Sequence, residues 1–208
     1  MIDGIYDVAL RYTRDARWEA YTLSHSAYGF GDTLAEARKD ITEALALLVE
    51  QPENRIRINE YHERLISAAD EHHADVWLRV HHDTDPNHVL SRREIVGKLQ
   101  NEPDAWGSFD NGLSLNGDII VLACLPDDIL GDVFAQVASA HRLYLAVPYP
   151  NRLCLRRMHT NEATGRTPES EINIASFNLG AGSTVDDFIR VTSADHNHDA
   201  TREEYLVA

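Results

Sequence analysis

The stretch GDTLAEARKDITEALALLVE, residues 31–50, leaves the chain few ways to begin folding. Thr33 suits a helix N-cap, and Glu36, three residues on, completes a capping box. Leu34, Ala37, Ile41, Ala44, Leu45 and Leu48 recur at helical spacing and form one apolar stripe. Glu36, Lys39, Asp40 and Glu43 fall on the opposite side. Such a helix has to bury its stripe against a neighbouring layer. The segments just upstream offer one. IYDVALRYT (5–13) alternates, with Tyr6, Val8 and Leu10 on one face, and RWEAYTLS (17–24) is rich in β-forming residues. The polar connection between them predicts a hairpin, and a brief third strand runs through Ala27, Tyr28 and Phe30. QPEN stops the helix, and RIRINEY (55–61) reads as a fourth strand.

The two glycines before the helix raise the question of a phosphate loop. A dinucleotide fingerprint needs G-x-G-x-x-G after a strand. Gly29 and Gly31 fill its first two places, but Leu34 stands in the third, and Asp32 puts negative charge where a pyrophosphate would meet the helix end. The pattern excludes that fingerprint, and Gly31 is expected to supply a special backbone angle for a tight turn.

A hairpin, a short strand and then Gly31, Asp32, Thr33, Glu36 and Ala37, with Ala44 following in the helix, together resemble the HicB-like antitoxin domain over residues 5–60. The resemblance implies a β-β-β-α-β unit of degenerate RNase H-like fold. It also implies a role without catalysis: binding and blocking a small, basic, RNA-cleaving toxin.

Downstream, YHERLISAADEHH (61–73) reads as a helix, ADVWLRVHH (74–82) as a strand and LSRREIVGKLQ (90–100) as a helix capped by Ser91. NEPDAWGSFDNG (101–112) reads as a linker. Beyond it come a buried strand, GDIIVLACL (117–125), and a helix, PDDILGDVFAQVASA (126–140). RLYLAVPYP and RLCLRRM follow as strands, and DDFIRVTS (186–193) as a last one. The fold class expected is α+β. A HicB-like unit at 1–60 and a helix and strand extension at 61–105 precede a second mixed α/β domain of unknown role at 106–208.

The formal charge of −15 argues against coating nucleic acid or an anionic membrane and suits a basic protein partner. The one basic helix, SRREIVGKL, does not make a DNA-binding face, so DNA binding is not expected. The longest apolar run, IIVLACL, is far short of a membrane span, and the N-terminus lacks a signal core, so a cytoplasmic protein is expected. Cys124 and Cys154 sit in apolar runs and read as reduced core thiols.

HHDTDPNH collects the sharpest chemistry, with His81, His82, Asp83, Asp85 and His88 at a strand end. Imidazole and carboxylate together suit a divalent transition metal, although His81 and His82 alternate faces and no H-E-x-x-H pattern is present. DHNHD, with Asp195, His196, His198 and Asp199, is a similar but looser cluster. No nucleophile elbow, P-loop, catalytic residue or cofactor site is legible. Tyr12, Trp18, Tyr21 and Tyr28, clustered in the first sheet, are the candidate partner-binding residues. The function expected is a non-enzymatic interaction module of antitoxin or immunity type that occludes a basic protein and forms a homo-oligomer. Two alternatives stand beside it: a metal-dependent hydrolase using the His81–His88 cluster, and a structural protein that oligomerises through its sheet edges.

Overall fold

The structure, a computed structural model, describes residues 4–67, 75–81, 91–101, 118–134, 142–158, 178–180 and 182–195. These residues build a mixed α+β fold on one eight-stranded sheet. The strands are β1 (Gly4–Tyr12), β2 (Trp18–Thr22), β3 (Tyr28–Gly31), β4 (Ile56–Ser67), β5 (Val76–His81), β6 (Ile119–Ala123), β7 (Arg142–Tyr149) and β8 (Arg152–Met158). The helices are α1 (Leu34–Leu48), α2 (Arg92–Gln100), α3 (Leu130–Phe134) and α4 (Val185–Asp195). Strand order across the sheet is β3-β2-β1-β4-β5-β6-β7-β8. β1 runs parallel to β4, and β5, β6 and β7 run parallel to one another; the remaining neighbours are antiparallel.

The first four strands and α1 appear in the order β-β-β-α-β. A capping box sets the start of α1: Thr33 Oγ1 accepts the Glu36 N–H at 3.2 Å, and Glu36 Oε2 accepts the Thr33 N–H at 3.1 Å. Replacing Thr33 with alanine removes one arm of that box. It is expected to lower stability by about 1 kcal/mol, read as a shift of the urea midpoint with the slope unchanged. Ala37, Ile41 and Leu45 are fully buried against Val8, Leu10, Ala20 and Ile56, as the stripe requires.

The boundary drawn at residue 60 falls inside β4, which pairs with β1 on one side and with β5 on the other. The helix expected over 61–73 is corrected here: residues 61–67 continue the strand, and 68–74 lie outside the described residues. Tyr61, Glu63 and Leu65 alternate with His62, Arg64 and Ile66, and the flanking strands supply hydrogen-bond partners on both sides. Within a single segment, only a helix lets the backbone groups bond one another, whereas a strand needs neighbours.

The second correction is at the other end of the sequence. DDFIRVTS is not a strand but the body of α4. Thr184 and Asp187 exchange reciprocal cap bonds, Thr184 N–H to Asp187 Oδ2 at 3.1 Å and Asp187 N–H to Thr184 Oγ1 at 3.2 Å. Val185, Phe188 and Ile189 then land on one buried helical stripe.

Register partners share a face, and Leu10 pairs with His62, which pairs with Val80. α1, packed on Leu10, and α2, packed on Val80 through Ile95 and Leu99, therefore cover the same face of the sheet. α3 and α4 cover the opposite face over β5–β7, where Trp77, Ile120, Leu122, Leu143 and Leu145 form the core. Cys124 and Cys154 are free thiols, and burial pushes both above the usual range. No described helix is long and apolar enough to cross a membrane.

Candidate functional site

On the face away from α1, one rung of residues crosses the sheet at right angles to the strands. Register places Phe30 of β3 beside Glu19 of β2, then Arg11 of β1, Glu63 of β4, Arg79 of β5 and Leu122 of β6. Four consecutive members carry charge, and the signs alternate. Cross-strand neighbours of opposite sign attract, whereas a slip of one residue would turn every one of these side chains to the other face.

The inner end of the rung is buried. Arg79 donates from Nε and Nη2 to Glu63 Oε1 at 2.8 and 2.7 Å, and also from Nη2 to the Tyr21 hydroxyl at 2.7 Å. That hydroxyl donates in turn to Glu63 Oε1 at 2.6 Å. Arg11 bonds Asp118 at 2.8 Å and Glu19 at 3.1 Å, lies 3.9 Å from Glu63 and stacks 4.8 Å above the Trp77 ring. Burial, with Glu63 adding to it, pushes the Tyr21 phenol far above its ordinary range, so this group stays a proton donor. Burial works against the charge of Arg11 and Arg79, but their acidic neighbours outweigh it and raise both. Groups locked in one protonation state do not shuttle protons. This end of the rung holds β1, β2, β4 and β5 together and ties them to Asp118 at the entrance to β6.

A second ion pair braces α1 to the sheet. Arg38 donates two hydrogen bonds of 2.7 Å to Glu60. Burial by itself would raise Glu60, but Arg38, with His62 behind it, holds the carboxyl below its usual range.

The outer end of the rung is open to solvent. Phe30 is 42% exposed, and Tyr28, two residues earlier on the same face, is 63% exposed. Their neighbours, Gly29 and Gly31, face α1. A Cβ on Gly29 would stand 2.4 Å from the Ile41 backbone nitrogen, and one on Gly31 would stand 2.6 Å from that of Ala37. The glycines thus serve close strand-to-helix approach. This corrects the special angle expected at Gly31, whose φ lies outside the left-handed region. The Thr22 N–H bonds Ala27 O, which makes Ala20 and Gly29 the next hydrogen-bonded pair of the ladder and turns the Phe30 N–H outward. Asp40 Oδ2 accepts that N–H at 2.8 Å, and Glu36 Oε2 accepts the Asp32 N–H at 2.9 Å. Beside this edge lies a shallow depression of about 350 Å³ lined by Phe30, Gly31, Asp32, Glu36, Lys39, Asp40 and Glu43.

The four aromatic candidates do not form one patch. Tyr12 is 49% exposed and packs at a tilt against half-buried Trp18, with ring centroids 5.5 Å apart, on the face that carries α1. Tyr28 is exposed on the opposite face. Tyr21 is buried, and its hydroxyl is held by Glu63 and Arg79, so it serves the interior. Phe30, missed among the candidates, is the partner of Tyr28; the alternation in YGFG was its signal. His81 is the last residue of β5, and Asp195 is the last of α4. His82, Asp83, Asp85 and His88, like His196, His198 and Asp199, lie outside the described residues. Among the described residues, no group of three or more histidines, cysteines and carboxylates comes together as a metal site. Comparison of the chain with protein families, with curated proteins and with solved structures finds no match.

Proposed function

We propose that this chain is a non-enzymatic interaction module of the antitoxin or immunity type, which occludes a basic partner protein with the β3–α1 edge of its sheet. One observation carries the reading: at the edge strand, exposed Phe30 lines a depression with four acidic residues and a single lysine, and exposed Tyr28 stands two residues before it on the same face. Aromatic anchors give a protein interface contact area at low entropic cost, and complementary charge steers the partner in. The charge of −15 and the resemblance of residues 5–60 to HicB-like domains support it.

The test is a native pull-down from the cells that make the protein, using the full chain and a Tyr28→Ser, Phe30→Ser variant. The expected result is a stoichiometric partner of net positive charge, retained by the wild type and lost from the variant and at high salt. Equal retention by both chains, or no basic partner at all, overturns the reading.

A further inference from the structure

We propose that Phe30 is the seat for an arginine of the partner protein, a seat that Arg17 occupies in the free chain. The inference rests on the interaction reading above and names the group which that surface recognises.

The Arg17 guanidinium lies 4.7 Å from the centroid of the Phe30 ring. Arg17 is exposed and lies at the end of the turn between β1 and β2, where Thr13 N–H and Oγ1 both bond its carbonyl. Arg11 and Arg79 stack on aromatic rings while bonded to carboxylates. Among the described residues Arg17 is held by its ring alone. An exposed cation on an aromatic face is weakly bound, so the position can be exchanged.

Its surroundings favour a cation. Glu19 is the cross-strand neighbour of Phe30, and the rung behind it alternates in sign, so a positive charge over Phe30 extends the series to the sheet edge. Asp32, Glu36, Asp40 and Glu43 line the open depression beside Phe30, together with Lys39, which pairs with Glu43 at 3.1 Å. A guanidinium stacks flat on a ring and still presents donors in its plane, which a lysine ammonium does not. The edge does not invite strand addition at this point, because Asp40 already holds the outward Phe30 N–H. Recognition here runs through side chains.

The full-length chain and its Arg17→Ala and Phe30→Leu variants are titrated calorimetrically with an arginine–glycine repeat peptide and with the lysine–glycine peptide of equal length. Wild type is expected to bind the arginine peptide more tightly. Arg17→Ala empties the ring, and is expected to tighten the arginine peptide by about 3- to 10-fold, well beyond the change for the lysine peptide, which reports only the lost charge. Phe30→Leu keeps the apolar bulk and should abolish the preference for arginine. The proposal is overturned if neither peptide binds, if Arg17→Ala leaves the arginine peptide unchanged or weaker, or if arginine and lysine bind alike. Should Phe30→Leu not fold, the Arg17→Ala contrast decides alone. A basic partner captured equally by wild type and both variants would sink this inference but leave the interaction reading standing. No basic partner in the pull-down would sink the reading itself.

Discussion

Replacing Arg79 with methionine is expected to destabilise the protein by about 3–5 kcal/mol, the largest loss among single changes that keep side-chain bulk. Arg79 and Glu63 are both shut off from solvent at their side chains, 2.7 Å apart. Without the guanidinium, Glu63 keeps the Tyr21 hydroxyl and the more distant Arg11, at 3.9 Å. Those contacts do not replace two charge-assisted hydrogen bonds in a buried site. The comparison that isolates the pair is a double-mutant cycle. Adding Glu63→Leu to Arg79→Met removes the stranded charge, so the double variant should recover much of the loss. Urea unfolding of the four proteins measures it. A loss under about 1 kcal/mol for Arg79→Met would show that the rung is not a clamp.

Gly29→Ala is expected to cost about 2–3 kcal/mol, near the upper end of the usual range for overpacking. The added methyl would meet Ile41 at its backbone nitrogen, Cα and Cβ, at 2.4, 2.8 and 2.9 Å. Backbone atoms inside a helix cannot swing aside as a flexible side-chain end can, so α1 would have to lift off β3. Gly97 in α2 is the control. A Cβ there meets nothing within 4 Å among the described residues, so Gly97→Ala should stabilise by about 0.5–1 kcal/mol through helix propensity alone. Opposite signs for the two identical substitutions are the expected result. A neutral Gly29→Ala would mean that strand and helix stand further apart than described.

Only part of the candidate site was legible beforehand. Tyr28 stands out in the sequence because the aromatic residues of the first sheet cluster, whereas Phe30, on the same short strand, lies between two glycines and carries no such signal. Tyr21 was misjudged because a strand sequence gives alternation but not which face is covered. Its burial comes with Glu63 and Arg79, from strands 42 and 58 residues away. Glu63 was hidden more deeply. HERLIS carries nothing that forbids a helix, so its role could not be read before its state was known.

The local sequence by itself determined where α1 starts, which of its faces is buried and that strands precede it. Capping boxes and apolar periodicity act between residues a few positions apart, and their energetics are complete within the segment. Tertiary structure decided what those rules leave open: that residues 61–67 extend β4, that DDFIRVTS closes as a helix under its Thr184–Asp187 cap, and that Glu19, Arg11, Glu63 and Arg79 fall into one rung. The physical reason is that a strand has no hydrogen bonds of its own. Its register, its buried face and the charges it meets are set by neighbours that only the folded sheet brings alongside.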